Sequence, residues 1–210
     1  MSHSHIWYET KLPKEIVNIL SEDIKSYNDK LGISKVIGPN SFRQNKPEKF
    51  RSGKNAWIPD THWICGFIWH YINLANQSNF LYDIDYIDGH SIQYSEYKTG
   101  DFYKWHQDSN LSDQYVPQNI RGLVRSVSED KIIVSGESSR KLSFSMQLSN
   151  ENEYEGGELQ IMDSSGHLHT TSKEMGVVVI FDSRLSHRVR KVTEGCRRSL
   201  VGWAVGPRWR

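Results

Sequence analysis

The 210-residue sequence predicts one mainly β domain of the α+β class, a jelly roll braced by N-terminal helices. Two patterns support this prediction. Apolar residues recur at spacings of three and four over about residues 1–80, and they alternate with period two in short segments over about residues 81–210. Many short alternating segments separated by Gly, Asp and Ser turns are typical of a sandwich or jelly roll. A chain of this length supports one substantial core, whereas two full domains would be cramped.

Two segments of the N-terminal region have the apolar spacing of helices. Residues 12–31 carry Pro13 in the first turn and are followed by Gly32 as a stop signal, and residues 61–77 carry a broader apolar face. The intervening residues 34–55 are polar and rich in Gly and Pro, which predicts a loop with room for one short strand. The first helix is predicted to bury Ile16, Ile19, Leu20, Ile24, Tyr27 and Leu31.

The remaining sequence predicts a succession of short strands. They cover residues 82–87, 91–97, 102–106, 131–134, 141–148, 157–161, 176–181 and 200–205. Residues 109–139 separate two of the core strands, and a connection of this length predicts an inserted hairpin or a mobile lid.

The composition excludes several classes of protein. Hydrophobic residues make up 37% of the chain and charged residues 24%, which excludes a disordered tail. No apolar run approaches the roughly 18 residues of a membrane helix. A formal net charge of +1 gives no electrostatic case for binding nucleic acid or an anionic membrane. The first residues lack a secretory signal, so Cys65 and Cys196 are predicted to be reduced thiols in a cytoplasmic protein.

The candidate metal ligands are His106, Asp108 and His187. Residues i and i+2 of a strand point to the same side, so the imidazole of His106 and the carboxylate of Asp108 can converge on one ion. His187 follows a buried strand and can complete the set. Two imidazoles and one carboxylate leave coordination positions open, which suits non-haem Fe(II) oxygen chemistry. The pattern alone is weak, because the chain has nine histidines.

Arg197 strengthens the prediction of an iron site. Fe(II) needs a co-substrate that delivers two electrons, and 2-oxoglutarate does so while its far carboxylate requires a cation. A guanidinium that reaches the same cavity can clamp that carboxylate through two hydrogen bonds. Arg198, the next residue, should face the other way. Without the three ligands, Arg197 would be interpreted as a solvated surface residue.

Several blocks of this region resemble one known family. Tyr97–Asp108 contains a Tyr, Gly, Tyr, His-x-Asp run, Arg140–Asn150 contains the predicted strand 141–148, and Glu155–Leu159 contains Gly-Gly-Glu. Phe181–Val189 and Val192–Trp203 contain the second histidine and the arginine. These blocks are similar, over about residues 90–205, to the prolyl 4-hydroxylase family of Fe(II)/2-oxoglutarate oxygenases. The resemblance implies a double-stranded β-helix fold.

The resemblance also implies roles for individual residues. His106, Asp108 and His187 would bind Fe(II), and Arg197 would pair with the distal carboxylate of 2-oxoglutarate. Positions matched to contacts with the co-substrate are Tyr97, Ser143, Ser145 and Gln147, the last standing where the family often has tyrosine. Tyr103 and Trp203 match positions that face the substrate. O2 is the second co-substrate and ascorbate the implied reductant. The implied reaction hydroxylates a prolyl residue in a peptide or protein and releases succinate and carbon dioxide.

Alternatives remain open at this stage. Trp203 and Ser145 can be packing residues. The substrate can be another side chain or a small molecule, and the domain can be a metal-binding structural module without turnover. His167, His169 and Glu174 faintly resemble the metal pattern of cupins, but they follow a turn at Asp163–Gly166 and are assigned to an exposed hairpin. His62 and His70 are assigned structural roles.

Overall fold

The structure, a computed structural model, describes residues 7–34, 50–109 and 138–207. Within these ranges the chain forms two α-helices and fourteen strands. The helices are α1 (Lys14–Asp23) and α2 (Trp63–Ala75). The strands are β1 (Trp7–Lys11), β2 (Gly32–Ile33), β3 (Arg51–Ser52), β4 (Lys54–Pro59), β5 (Tyr86–Ile87), β6 (Ser91–Lys98), β7 (Phe102–His106), β8 (Ser138–Gln147), β9 (Tyr154–Gly156), β10 (Leu159–Met162), β11 (Leu168–Thr170), β12 (Val177–Asp182), β13 (Ser186–Val189) and β14 (Val192–Pro207).

The strands form two antiparallel sheets, which confirms the predicted mainly β jelly roll. The major sheet has the order β1-β12-β8-β14-β6-β4-β2, and the minor sheet has the order β11-β10-β13-β7-β3. The chain passes from the major to the minor sheet several times, and two of these crossings, between β6 and β7 and between β12 and β13, lead into the strands of the candidate site. Both crossings bring polar residues of the minor sheet to the space between the sheets, where the candidate site lies.

Strand β12 shows how the core is divided between the two faces of the major sheet. All six of its residues are buried. Val178 and Ile180 belong to the larger apolar cluster, which includes residues of α1 and α2, whereas Val179 and Phe181 belong to a second cluster with Ile161 of the minor sheet. A continuous apolar run is the expected pattern for a strand that is buried on both faces. The helices therefore brace the outer face of the major sheet, as predicted.

The N-terminal region is not only helical, and the prediction of a helical support has to be corrected in this respect. Strand β1 pairs with β12 and β4 pairs with β6, so both extend the major sheet. Residues 34–55, predicted as a loop with room for one short strand, include the short strand β3 and the start of β4. The Gly and Pro residues there dominated the sequence pattern, although Ala56 and Ile58 of β4 are buried in alternation. In the opposite direction, the predicted strand 82–87 is reduced to β5.

Helix α1 and the turn after it bury the predicted face with one exception, Ile19. The helix and the 3-10 turn after it (Lys25–Lys30) lie within the predicted 12–31 segment. Val17 and Leu20 are fully buried, whereas Ile19 is 57% exposed. The prediction for Ile19 is therefore wrong, because spacings of three and four allow two overlapping faces and only packing against the sheet decides between them.

The different exposure of Ile19 and Leu20 predicts unequal effects on stability when each is replaced by alanine. Leu20→Ala should lower the free energy of unfolding by about 2–5 kcal/mol, because it removes a fully buried side chain and leaves a cavity. Ile19→Ala is the matched control and should change it by less than about 0.5 kcal/mol, as expected for an exposed position. Urea unfolding of both variants measures the difference. Equal destabilisation would contradict the observed orientation of α1.

Two further predictions concern the segment at about 109–139 and the two cysteines. The hairpin or lid predicted at about 109–139 lies outside the described residues except at its ends, and so does the strand predicted at 131–134. Cys65 and Cys196 are both unpaired. Among the described residues, no helix combines the length and apolar character that crossing a bilayer requires.

Candidate metal centre and active-site cavity

The three predicted metal ligands meet between neighbouring strands of the minor sheet. His106 ends β7 and is directly opposite His187 of β13, and Asp108 follows two residues after His106. One ligand atom from each residue lies within 4.8 Å of the others. The distance to an Asp108 carboxylate oxygen is 3.2 Å from Nε2 of His187 and 3.8 Å from Nε2 of His106. The three side chains therefore converge as predicted, although β7 ends at His106 and Asp108 lies in the bend that follows it.

The backbone orients both imidazoles toward a common point. Nδ1 of His106 donates to the carbonyl of Lys104 at 2.7 Å, and Nδ1 of His187 donates to the carbonyl of Leu185 at 3.0 Å. These bonds leave Nε2 of each ring free to offer a lone pair on the side of Asp108. Hydrogen bonds of this kind fix the tautomer of metal-binding histidines. The donor set thus fits a divalent ion such as Fe(II).

Asp108 is held in place by Ser143 of β8 and by Ser183 in the loop between β12 and β13. The hydroxyl of Ser143 donates to Oδ2 of Asp108 at 2.7 Å and lies 2.9 Å from the hydroxyl of Ser183. The backbone N–H of Asp108 donates to the carbonyl of Ser183 at 3.0 Å. Ser143 was predicted to contact the co-substrate. It lines the cavity, but its observed bond is to the metal-ligand carboxylate.

Burial and mutual attraction shift the pKa of all three groups. Burial and the neighbouring His187 lower the pKa of His106 to about 3. Burial opposes ionisation of Asp108, but the two histidines outweigh it and lower the pKa of the carboxyl. Burial also opposes protonation of His187, but its hydrogen bond and charge interaction with Asp108 raise its pKa above the ordinary value. In the metal-free protein, a proton on Nε2 of His187 therefore competes with a metal ion for the same lone pair.

This competition predicts a pH-dependent metal affinity. As the pH falls through the pKa of His187, we expect the affinity for Mn(II) to fall by about tenfold per pH unit, because one proton must leave for each ion that binds. Titration calorimetry in two buffers of different ionisation enthalpy counts the released protons. The low pKa of His106 means that it adds no second proton in the neutral range. An affinity that is constant between about pH 5 and 7 would contradict the raised pKa of His187.

Arg197 lies deep in the same cavity. It is 3% exposed, and its β14 position is opposite Tyr97 of β6. Its Nη1 donates to the hydroxyl of Ser199 at 3.0 Å, and its guanidinium carbon is 5.9 Å from the centre of the Tyr97 ring. No carboxylate of the described residues forms an ion pair with it. A buried, uncompensated guanidinium is costly, so the site is complementary to an anion.

Arg198 faces the opposite side of β14, as strand alternation predicts. Its Nε donates to a carboxylate oxygen of Glu96 at 3.3 Å, and its side chain is partly exposed. The two neighbouring arginines therefore have different environments, one inside the cavity and one on the outer face.

The cavity has a volume of about 900 Å³, including the space at its open mouth. It is lined by the predicted residues Tyr97, Tyr103, His106, Asp108, Ser143, Ser145, His187, Arg197 and Trp203. Gln147 is an exception. It is the last residue of β8, does not line the cavity, and donates to the carbonyl of Ser149 at 3.5 Å. The predicted contact between Gln147 and the co-substrate is therefore not supported, because the cavity ends before the strand does.

Two cavity arginines were missed by the sequence analysis. Arg140 donates from Nε and Nη2 to one oxygen of Asp88, at 2.9 and 2.7 Å, and its guanidinium lies 3.9 Å from the ring centre of Trp203. Arg51 lies 4.6 Å from the ring centre of Tyr103. Arg140 begins one of the blocks that resemble the family, but its position in the pattern does not indicate a role, and Arg51 lies in the segment predicted as a loop with room for one short strand.

Two of the other histidines, His62 and His169, have structural contacts. The ring of His62 accepts a hydrogen bond from the N–H of Ile64 at the start of α2. His169 stacks on Trp7 and lies 3.3 Å from a carboxylate oxygen of Glu9. Within the described ranges, His106, Asp108 and His187 are the group that can hold a metal ion, and the cupin-like alternative is not supported.

Comparison with known proteins agrees with this site. The family model for the 2OG-Fe(II) oxygenase superfamily matches residues 92–205. Curated relatives include a PKHD-type hydroxylase of Parvibaculum lavamentivorans, 44% identical over 62 residues, which are 30% of this chain and 28% of that protein. Another, from Idiomarina loihiensis, is 29% identical over 112 residues, which are 53% of this chain and 40% of that protein. The chain thus spans less than half the length of these curated relatives.

Similar solved structures include a prolyl-4-hydroxylase of Pseudomonas putida, with a TM-score of 0.65 and 18% identity over 98% of this chain and 95% of the other. A prolyl hydroxylase of Trichoplax adhaerens, in complex with a hypoxia inducible factor oxygen degradation domain peptide fragment, has a TM-score of 0.63 and 15% identity. That match covers 96% of this chain and 84% of the other. At these identities the likeness shows a shared fold.

Proposed function

Since the chain belongs to the 2OG-Fe(II) oxygenase superfamily, we propose that it is an Fe(II)- and 2-oxoglutarate-dependent dioxygenase that hydroxylates a prolyl residue in a peptide or protein. The reaction would release succinate and carbon dioxide. One observation carries the proposal: two histidines and an aspartate converge in a cavity that also contains a buried arginine without a carboxylate partner among the described residues.

In this proposal, Fe(II) would be held by Nε2 of His106, Nε2 of His187 and the carboxylate of Asp108. When bound, it supplies the activation of O2 that couples decarboxylation of 2-oxoglutarate to hydroxylation of a C–H bond. The chain positions these ligands through the carbonyls of Lys104 and Leu185 and the hydroxyl of Ser143. Holding reacting groups in one geometry in advance is the main contribution of a protein to cofactor chemistry.

Arg197 would bind the distal carboxylate of 2-oxoglutarate. Its burial removes competing water, and its bond to Ser199 limits the orientations of the guanidinium. A bidentate pair between a guanidinium and a carboxylate is strong and directional. Tyr97, opposite Arg197 on the neighbouring strand, lines the same end of the cavity and would contact the co-substrate.

The cavity also has aromatic walls that suit a prolyl ring. Tyr103 and Trp203 line it, and Trp57 lies 6.4 Å from Trp203 between ring centres. Arg140 stacks on the Trp203 indole and would fix its orientation. Flat apolar faces bind a small saturated ring without requiring polar partners. The two similar structures named above are prolyl hydroxylases, one of them bound to a peptide, which supports a peptide substrate.

An anaerobic Fe(II) titration followed by a succinate-release assay tests the proposal. Proline-containing peptides and whole-lysate proteins are then screened, with and without ascorbate, for the mass gain of one oxygen atom. Succinate together with a modified prolyl residue is the expected result. Succinate release without modified peptide would favour another side chain or a small molecule as substrate. Fe(II) binding without any succinate would favour a structural metal-binding domain.

We also propose a cytoplasmic location, which the unpaired Cys65 and Cys196 support, because reduced thiols are usual there.

A further inference from the structure

The cavity contains one cation more than the proposed reaction uses. Its charged side chains, besides the histidines, are Arg51, Asp108, Arg140 and Arg197. Arg140 is neutralised by Asp88 outside the cavity lining. Fe(II) and the 2-oxoglutarate dianion would neutralise each other, and Asp108 offsets one of the two remaining arginines. One positive charge is left, and Arg51 is the cation for which the proposed reaction has no use.

Arg51 is buried without a charge partner in the described parts of the chain. It is 8% exposed and forms no ion pair with a described carboxylate. Its side chain hydrogen-bonds to that of Tyr97, but its Nε has no partner among the described residues. A buried charge that is neither paired nor fully hydrogen-bonded is destabilising. The buried guanidinium of Arg51 lowers the stability of the protein, which suggests that an anionic ligand pairs with it in the functional complex.

The position of Arg51 places this charge beside the metal ligands. The guanidinium lies over the ring of Tyr103, which in turn stacks on the ring of His106 with 3.6 Å between centres. Strand β3 fixes this arrangement, because Arg51 is directly opposite Tyr103 of β7. Stacking on an aromatic face holds the guanidinium in one plane and leaves its edge to bind a carboxylate.

Trp203 lines the same cavity and is 8% exposed. Its Nε1 and the Nε of Arg51 have no hydrogen-bond partner among the described residues, but both atoms are covered by their neighbours and do not face the open cavity. The unmet requirement is therefore the charge of Arg51, which an apolar ring alone would leave without a counter-charge.

We propose that Arg51 is a specificity-determining residue, and that the preferred substrate brings a carboxylate into the cavity next to the ring that is hydroxylated. This inference rests on the proposed function and narrows its substrate class. The carboxylate has two sources with the same chemistry: an acidic side chain beside an internal proline, or the α-carboxylate of a C-terminal proline.

Matched peptides distinguish these sources. One pair contains Pro-Asp or Pro-Asn within an end-capped peptide, and the other ends in proline with a free or an amidated carboxyl group. Hydroxylation is measured as kcat/KM, and affinity by calorimetry with Mn(II) and 2-oxoglutarate in the absence of oxygen. We expect a carboxylate to improve both by about tenfold or more in one of the pairs, as for a hydrogen bond to a charged group.

Variants assign the preference to Arg51. Arg51→Gln should remove the discrimination within the preferred pair, and Arg51→Lys should retain part of it. Arg190→Gln is the matched control, because Arg190 is exposed, pairs with Glu158 and does not line the cavity.

The outcomes separate this inference from the proposed function. Hydroxylation at equal rates within both pairs would overturn the inference and leave the proposed function standing. An equal loss on both members of the preferred pair in Arg51→Gln would show a structural role and overturn it as well. Absence of hydroxylation on every peptide would contradict the proposed function and the inference together. If Arg51→Gln does not fold, the comparison of peptides with the unaltered protein still decides.

Discussion

Replacing His187 with alanine is expected to abolish succinate release and to weaken Fe(II) binding by more than the roughly 10- to 100-fold that loss of a supporting hydrogen bond typically costs. The substitution removes one of three ligand side chains from a buried site. It also removes the group that lies 3.2 Å from the Asp108 carboxylate, so that the remaining ligands are less well oriented. Anaerobic Fe(II) titration and succinate release measure the two effects.

His169→Ala is the control for this substitution. His169 lies in the same sheet, on β11, and is opposite Ile161, which is itself opposite His187. It stacks on Trp7 outside the cavity, so its loss should lower stability slightly and leave Fe(II) binding unchanged. Unchanged Fe(II) binding in a folded His187→Ala protein would refute the metal site. A similar loss of iron in both variants would indicate a general loss of structure.

The sequence predicts the parts of this site that depend on local periodicity. Arg197 and Arg198 face opposite sides because they are adjacent in one strand. The continuous apolar run of β12 likewise identifies a strand that is buried on both faces. In each case a few neighbouring residues contain all the information that the geometry needs.

The features that the sequence did not predict depend on pairing between distant segments. Arg51 reaches the cavity because a two-residue strand pairs with β7, and a two-residue strand has too few positions to show alternation. Arg140 is placed by an ion pair with Asp88, far from it in sequence. Gln147 shows the converse limit, since alternation predicts its face correctly but cannot say where along β8 the cavity ends.

Arg197→Ala is expected to raise the 2-oxoglutarate concentration needed for half-maximal turnover by tens- to thousands-fold, with Fe(II) binding nearly intact. Losing one member of a buried, hydrogen-bonded charge pair costs about 2–5 kcal/mol. Only the binding of 2-oxoglutarate should be affected, because Arg197 forms no described ion pair with the metal-ligand carboxylate of Asp108. Arg197 also lies on the major sheet, whereas His106 and His187 lie on the minor sheet. Turnover as a function of 2-oxoglutarate concentration measures it.

Arg198→Ala provides a control one residue away. It removes the same type of side chain from the outer face of β14 and breaks a partly exposed pair with Glu96, which typically contributes no more than about 1 kcal/mol. Its 2-oxoglutarate requirement should therefore be close to that of the unaltered protein. If the two variants needed equal concentrations of 2-oxoglutarate, the buried position of Arg197 would have no bearing on the co-substrate. In that case the cation for the distal carboxylate would have to be sought among the other cavity arginines, beginning with Arg51, whose burial without a described carboxylate partner matches that of Arg197.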